Sequence, residues 1–388
     1  ANQLLDADSD TKIQVEESSD EDKIRFDTGG TERMVLDSTG LGIGVTPTAR
    51  LSLPAQASGD SGVARFAIES AADDNDFTIS QYEDGTGTYT LVGQNINLNS
   101  GGNVTVLDSA HKTAGVLFDG RGNGQLQFYT GAANASSEKM TIDSSGNVGI
   151  GTSSPGAPLN VTSAYSSGAI TTALKLATVG GYNANAGTAL DFGSDQGNYS
   201  TWLTGRIASP RTGDNWGGSL VFSTNDNSAA TGLATAMTID HSGRVTMPKQ
   251  PAFQVNKSSG QSNFTAGSTI TITWDTERFD VGDNFASNEF TAPVTGKYQF
   301  SMSARLLNID TGSNYFQMWF VTSNRSYEVF ILHPQFSADV DYYNVSWSML
   351  ADMDANDTAK VQVYQSGGTS QVDMGGGTDS HFAGYLVA

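Results

Sequence analysis

Aspartate recurs at one position of a repeated motif, as Asp37, Asp143 and Asp240. A glycine follows each of them three residues later, which is the spacing that a type I turn favours. A site that cleaves glycosidic bonds would need two carboxyl groups about 5 to 9.5 Å apart. Because turn chemistry alone explains the spacing, we interpret the three aspartates as turn residues. We predict no catalytic residue and no enzymatic activity.

Residues with metal-binding chemistry do not form a complete ligand set. Asp6, Asp8 and Asp10 are spaced as in a calcium loop, but Thr11 stands where such a loop needs glycine. An exposed acidic turn is therefore the preferred interpretation. The four histidines show no ligand spacing, and only a threefold axis would turn His241 into a three-histidine site of the kind that zinc or nickel prefers. The chain has no cysteine, which excludes disulfides, thiol catalysis and cysteine-ligated zinc.

Charge and composition exclude further classes. The net charge of −21 argues against a nucleic-acid partner, because phosphate binding needs clustered lysine and arginine. No apolar run approaches the roughly 18 residues of a membrane span, so we predict no membrane insertion. The chain begins with Ala1, so we expect a processed or truncated chain. Only 37% of the residues are apolar and 44 are glycine, which favours repetition or association over a large private core.

An internal repeat organises the first part of the chain. It reads Met-Val-Leu-Asp-Ser-Thr-Gly from Met34, and Met-Thr-Ile-Asp followed by Ser-Ser-Gly or His-Ser-Gly from Met140 and Met237. The alternation places the methionine and the second apolar side chain on one face of a strand. A small hairpin cannot be stable alone, and three identical chains around an axis would cover its apolar face. To this trimer axis we assign Met34, Leu36, Met140, Ile142, Met237 and Ile239.

The last part of the chain, residues 251–388, has a different composition. It holds 21 of the 36 aromatic residues, which favours a conventional packed core. Short alternating runs between turn-rich clusters predict about eight to ten strands in a sandwich or jelly roll. To the core or intersubunit seam we assign Phe290, Tyr298, Phe300, Phe382 and Tyr385.

One motif in this region resembles the signature of the globular head of complement component one-q. Phe-Thr-Ala-Pro begins at Phe290, and Gly-Lys-Tyr-Gln-Phe ends at Phe300. Trp274-Asp275 precedes the motif, and His-Phe-Ala-Gly-Tyr-Leu from His381 lies where that family has its closing strand. The stretch 280–285 is shorter than is usual in the family.

This resemblance covers residues 251–388 and implies a compact ten-stranded jelly-roll trimer, related in fold to tumour necrosis factor. It also implies that loops of the head bind ligands. Some heads of this family carry calcium near the apex, which makes Asp373 and Asp379 candidate calcium ligands here. His241 remains the separate candidate for a zinc or nickel site. Apart from that calcium, we expect no cofactor.

The front of the chain resembles stalk modules in the tail fibres and appendages of marine, cyanophage-like bacteriophages. The similarity lies in residues 12–26 and in the Met-x-Ile-Asp…Gly-Ile-Gly repeat. We therefore expect an all-β, elongated trimeric fibre of repeated β modules with a C-terminal ten-stranded jelly-roll head. The expected divisions are an N-terminal β repeat module at 1–50, shaft modules at 51–160 and 161–250, and the head at 251–388.

The two resemblances together imply a viral receptor-binding protein that attaches to the host bacterial surface through its trimeric head. The implied partners are two further copies, a host cell-surface glycan or outer-membrane protein, and other virion tail proteins at the N-terminal end. The implied location is the virion, and the extracellular space on release. Candidate receptor contacts are the loop residues Tyr315, Asn324, Arg325, Tyr327, Tyr342 and Tyr343.

Two alternatives from other classes remain open. One is a polysaccharide-degrading tailspike with its active site in 54–130 or 162–235. The other is a purely structural virion decoration or bacterial surface fibre.

Overall fold

A computed structural model describes residues 3–15, 17–54, 64–70, 76–122, 124–132, 135–164, 167–168, 170–178, 183–196, 199–212, 216–333 and 335–388. Within these ranges the chain forms strands, turns and bends and no helix, so the all-β prediction is confirmed. It divides into two compact units, residues 1–175 and 176–388, which are described separately.

The first sheet of unit 1 contains six strands that pair in sequence order. They are β1 (Gln3–Leu5), β2 (Lys12–Val15), β3 (Ile24–Thr28), β4 (Thr31–Leu36), β5 (Leu41–Ile43) and β6 (Leu51–Ser52). All neighbours are antiparallel except β5 and β6, which are parallel. The sheet therefore extends past the predicted module boundary at residue 50.

The second sheet of unit 1 has eight strands, with a separate two-stranded hairpin inserted between two of them. The first strands are β7 (Ala64–Ile68), β8 (Phe77–Glu83), β9 (Thr88–Gln94) and the hairpin β10 (Ile96–Leu98) and β11 (Val104–Val106). The rest are β12 (Thr113–Asp119), β13 (Gln125–Gly131), β14 (Ser137–Ile142), β15 (Val148–Ile150) and β16 (Leu159–Val161). Ile96 and Leu98 of the hairpin pack on Leu91 and Leu117, and this small cluster is the core of the sheet.

Unit 2 begins with a five-stranded antiparallel sheet. Its strands are β17 (Gly187–Gln196), β18 (Tyr199–Pro210), β19 (Leu220–Asn225), β20 (Leu233–Ile239) and β21 (Val245–Thr246).

The sequence repeat is a repeat of strand pairing as well. In each copy the repeat strand pairs with the strand before it, a phenylalanine lies opposite the methionine, and the register shifts directly after the phenylalanine. The pairs are Phe26 with Met34, Phe128 with Met140, and Phe222 with Met237. A β-bulge at this point increases the local twist of the strand. The three copies therefore share the same backbone irregularity.

The aspartate turn is of the expected type in two copies and differs in the first. The carbonyl oxygen of Asp143 accepts the N–H of Gly146, and that of Asp240 accepts the N–H of Gly243, each at 2.9 Å. The first copy is one residue shorter, and there the side chain of Asp37 accepts the N–H of Gly40 at 3.3 Å. The type I turn prediction therefore needs correction for the first copy, because the shorter loop brings the carboxylate to the glycine instead.

A short crossover connects the two parallel strands in each sheet of unit 1. Residues 44–50 join β5 to β6, and residues 151–158 join β15 to β16, whereas parallel strands usually need a connection of about a dozen residues or more. The crossover folds directly onto the strand it leaves. A Cβ at Gly42 would lie 1.9 Å from the carbonyl oxygen of Val45, and one at Gly149 would lie 2.4 Å from that of Thr152. Glycine is therefore required at both positions for a steric reason.

The head consists of two facing sheets, with five strands on the main path of each and one further short strand beside each path. The strands are β22 (Ala252–Lys257), β23 (Thr269–Thr271), β24 (Thr276–Asp280), β25 (Phe285–Ala286), β26 (Glu289–Thr291), β27 (Gly296–Leu307), β28 (Tyr315–Thr322), β29 (Ser326–Leu332), β30 (Tyr343–Met353), β31 (Thr358–Ser366), β32 (Asp373–Met374) and β33 (Gly377–Leu386). The first sheet has the order β24-β22-β33-β27-β30, with β32 beside β27, and the second has the order β25-β26-β31-β28-β29, with β23 beside β31.

The head has its own aromatic core, which lies between its two sheets. Phe253 lies with its ring centroid 4.8 Å from that of Phe290 and 5.1 Å from that of Phe382. Phe300 lies 5.8 Å from Phe290, and Tyr298 donates its hydroxyl to the carbonyl oxygen of Val294. All five rings are at most 1% exposed. Ring pairs at such separations stabilise the fold beyond their buried area.

The two ends of the head differ in what they carry. The N–H of Leu386 donates to the carbonyl oxygen of Pro251, so the chain enters the head where β27 begins. At the other end, where β27 finishes, lie the loops 308–314, 335–342 and 367–376. We call the end with these three loops the distal end, and the end with Pro251 the entry end.

A buried carboxylate joins two of the distal loops. Asp310, 5% exposed, accepts the N–H of Gly312 at 2.7 Å, the N–H of Thr369, the hydroxyl of Thr369 at 3.0 Å, and the side-chain amide of Gln365 at 3.3 Å. A buried charge is tolerated when donors surround it in this way.

Replacing Gly149 with alanine tests the crossover. The added Cβ overlaps the backbone of residue 152, so we expect a loss of about 1–3 kcal/mol from the free energy of unfolding. Urea denaturation followed by circular dichroism should show a lower midpoint. Gly122→Ala is the matched control, because nothing lies within 4 Å of its added Cβ. Equal midpoints for the two variants would show that the crossover does not require glycine.

Asp310→Asn tests the link between the distal loops. We expect a loss of about 1.5–3 kcal/mol, since hydrogen bonds to a charged group are lost. Hydrogen exchange of the Thr369 amide should become faster. Asp354→Asn, an exposed position at the entry end, makes the same charge change and should alter neither measurement. Unchanged exchange at Thr369 in Asp310→Asn would contradict the role of this carboxylate.

Candidate functional site

The first sheet leaves one apolar face uncovered. Two rows of side chains cross it in register. One row is Leu4, Ile13, Phe26, Met34 and Ile43, and the other is Val15, Ile24, Leu36, Leu41 and Leu51. Leu4 is 75% exposed and Leu51 is 59% exposed. A continuous apolar face of this kind marks an interaction surface.

The other two shaft sheets repeat this pattern. In the second sheet the rows are Val92, Val116, Phe128, Met140, Ile150 and Val161, and Phe118, Leu126, Ile142, Val148 and Leu159. In the third they are Leu190, Ile207, Phe222 and Met237, and Leu220, Ile239 and Val245. Phe118 is 54% exposed, Leu159 60% and Val245 55%. All six residues that the sequence assigns to a trimer axis lie in these rows.

The opposite face of the first sheet is covered although it is largely polar. Its row between the two apolar rows is Gln14, Arg25, Val35, Gly42 and Ser52, and all five are buried. The guanidinium of Arg25 pairs with Glu21 and, at 2.8 Å, with Glu32. Each chain therefore covers the polar face with its own side chains and crossover, and leaves the apolar face open.

The head residues that the sequence assigns to a core or intersubunit seam have two different environments. Phe290, Tyr298, Phe300 and Phe382 lie in the private core of the head, and Tyr385 is 52% exposed on the outer face of β33.

The six candidate receptor contacts do not form one cluster. Asn324 and Arg325 follow β28, at the entry end, where they contact Asp357 at 2.6 Å and Asp352 at 2.8 Å. Tyr327 lies beside them and stacks on Phe320. Tyr315 lies at the start of β28, at the opposite end of that strand from Asn324 and Arg325. The eight residues of the strand span roughly 23 Å at about 3.3 Å per residue.

Tyr342 and Tyr343 lie at the distal end. Tyr343 is half-buried against Phe330 and Phe336, with ring centroids 6.1 Å away in both cases. Tyr342 is 69% exposed, and the guanidinium carbon of Arg305 lies 5.5 Å from its ring centroid. Sequence reasoning missed Arg305, because it lies inside β27 among residues that alternate like any other strand.

Each candidate metal ligand has other contacts or a solvent-exposed position. Asp373 accepts the N–H of Asn263 at 2.6 Å and the side-chain amide of Asn308 at 3.2 Å. Asp379 pairs with Arg305 at 2.6 Å. His241 is exposed in its turn. Calcium in the head remains a prediction.

The three N-terminal aspartates do come together. Asp6, Asp8 and Asp10 each place a carboxylate oxygen within 4.8 Å of the others, and all three are exposed. Asp6 also accepts the N–H of Thr11 at 3.2 Å. These contacts are those of an exposed acidic turn, which is the interpretation that the sequence favours.

The polysaccharide-degrading alternative requires a suitable carboxyl pair. Asp84 and Asp119 both contact the guanidinium of Arg121, at 3.3 and 2.6 Å. Hydrogen bonds from Thr86 hold the pKa of Asp84 below its usual value, and those from Arg121 do the same for the pKa of Asp119. A general acid needs a raised pKa instead.

Glu138 is a carboxyl group with the opposite shift. Burial raises its pKa, and it lies opposite Tyr129 in the sheet. Within the described ranges no hydrogen bond or ion pair joins it to a second carboxyl group. The contacts favour no catalytic pair, and the absence of enzymatic activity stays a prediction.

Among the residues that the structure describes, none forms a helix long and apolar enough to cross a membrane.

No protein-family model and no curated protein sequence matches the chain. Solved structures that it is similar to include the globular domain of zebrafish complement 1qA protein, at 18% identity and a TM-score of 0.26, over 36% of this chain and 98% of that one. Crystal structures of murine APRIL at pH 8.5 and pH 8.0 are similar at 10% and 11% identity, both with a TM-score of 0.27, over 36% of this chain and all of theirs.

Proposed function

We propose that the chain is one subunit of a homotrimeric bacteriophage tail fibre that attaches to the host bacterial surface through the distal end of its head. The observation that carries this proposal is the uncovered apolar face, which recurs at the same register position in all three shaft sheets. The proposed number of subunits, three, comes from the resemblance of the head to the trimeric heads of complement one-q.

Association of three chains would explain why the sheets before residue 250 expose their apolar rows. Covering apolar surface contributes about 25 cal/mol per Å², and a single chain does not gain that contribution on these faces. Three identical sheets with these faces turned inward would gain it together, and each chain presents the same rows to its neighbours. The polar face of the first sheet needs no partner because the chain already covers it.

The head supports attachment through its two unlike ends. The entry end receives the chain from residue 250, and the distal end presents the loops 308–314, 335–342 and 367–376. Three copies of a weak site on one fibre gain affinity from effective concentration. The proposed partners are a host surface glycan or outer-membrane protein, with other virion tail proteins at the N-terminal end. The fibre would be part of the virion and extracellular on release.

A purely structural fibre would share the apolar faces but would not bind cells. Cell binding by the distal end therefore separates these two functions.

Met140→Asp tests the assembly face. An unpaired carboxylate from each chain would be desolvated between the subunits, so we expect association to weaken by at least about a hundredfold. Sedimentation equilibrium should give three times 40.8 kDa for the unmodified protein and a lower mass for the variant. Ser144→Asp, in the exposed turn of the same module, is the control and should remain trimeric. Circular dichroism shows whether the variant retains its strands. A folded Met140→Asp trimer, or a monomeric unmodified protein, would contradict the proposal.

The absence of cysteine allows a direct test of which end binds. Ala338→Cys lies in a distal loop and Ala355→Cys at the entry end, and both positions are exposed. Each variant is labelled with a maleimide polyethylene glycol, and binding of the full-length protein to intact bacterial cells is measured by flow cytometry. We expect the distal label to reduce binding at least about tenfold, since it covers the contact surface, and the entry label to leave binding unchanged. Equal effects would contradict the distal assignment, and no binding to any cells would contradict attachment.

A further inference from the structure

Tyr342 has a backbone conformation that tyrosine rarely adopts. Its φ is 62°, in the left-handed region, where a bulky side chain is an outlier. The neighbouring residues fix this conformation. The carboxylate of Asp341 accepts the N–H of Asn308 at 3.1 Å, and Tyr343 is the first residue of β30 and packs on Phe330. Strain of this kind persists where the surroundings impose it, and it is concentrated at ligand sites.

The Tyr342 ring itself does little for the fold. With 69% of the residue exposed, folding removes little of its apolar surface from water. Glycine or asparagine would meet the backbone requirement at lower cost. The tyrosine therefore needs an explanation other than stability.

Arg305 backs one face of this ring. Its guanidinium carbon lies 5.5 Å from the ring centroid, a cation–π distance, and its Nη2 donates to the carbonyl oxygen of Gly376 at 3.3 Å. Its Nη1 pairs at 2.6 Å with Asp379, whose side chain is 47% exposed. The opposite face of the ring is available to a ligand.

We propose that the open face of the Tyr342 ring, with Arg305 behind it, forms a stacking site for an uncharged pyranose ring. This inference rests on the proposed attachment function and names its ligand class. The C–H groups of the apolar face of a sugar would pack on the negative face of the tyrosine ring.

Charge selects a neutral sugar over an acidic one. Asp339 and Asp341 lie in the same loop as Tyr342, and Asp373 and Asp379 lie on the neighbouring segment, whereas Arg305 is already paired. With the chain at −21 overall, the field at this end repels anions. A uronic or sialic acid would therefore bind more weakly than its neutral counterpart.

Saturation-transfer NMR with the full-length protein tests the site. The probes are methyl β-D-glucopyranoside and methyl β-D-galactopyranoside, with D-galacturonic acid as the charged comparison. We expect transfer to at least one neutral glycoside and less to the acid. Tyr342→Phe should retain binding, and Tyr342→Gly should weaken it at least about tenfold, while its melting temperature stays equal or rises because the strain is relieved.

Asn356→Gly is the matched control, because Asn356 also has a positive φ, of 74°, and lies exposed at the entry end. It should relieve strain without changing sugar binding. No transfer to either neutral glycoside, stronger binding of the acid, or equal binding by Tyr342→Gly would overturn the site.

Failure of the site and failure of attachment give different results. If the unmodified protein binds cells and Tyr342→Gly binds them equally, the site is wrong and attachment stands. If the glycosides bind in a Tyr342-dependent way but no cells do, the site stands and attachment is wrong.

Discussion

The three sheets before residue 250 depend on the apolar faces that they leave uncovered. In the first sheet the polar row is buried and the apolar rows face outward, which is the reverse of the usual arrangement in a monomeric sheet. Arg25 and Gln14 lie inside while Leu4 and Leu51 are mostly exposed. The free energy that would normally hold such sheets together is therefore available only through contact with further apolar surface.

The short crossovers explain why this inversion occurs. Because residues 44–50 and 151–158 fold back over Gly42 and Gly149, each chain covers one face of its own sheet with backbone and small side chains. In the second sheet the hairpin β10–β11 covers more of that face. The remaining face has no cover within the sheet, and its methionine, leucine and isoleucine rows stay open. Local loop geometry thus determines which face of the sheet is left exposed.

The head is stabilised differently and can therefore present loops. Its aromatic core lies between its own two sheets, so its outer ends need no further burial. Asp310 ties two distal loops together from inside, and Asp341, which accepts the N–H of Asn308, helps to hold Tyr342 in its strained, exposed conformation. The two parts of the chain therefore differ: the three sheets before residue 250 leave apolar rows exposed, whereas the head buries its own core and presents loops.

The sequence by itself determined the all-β class, the repeat, and which residues share a strand face, because side chains alternate with a period of two whatever the surroundings. It also located the core of the head, since Phe290, Phe300 and Phe382 stand in alternating runs. Tertiary structure alone decided that Asn324 and Tyr342 lie at opposite ends of the head, that Arg305 reaches Tyr342, and that Asp37 closes its turn through its side chain. These features depend on strand register, loop length and contacts between residues distant in sequence, and a local pattern carries no information about them.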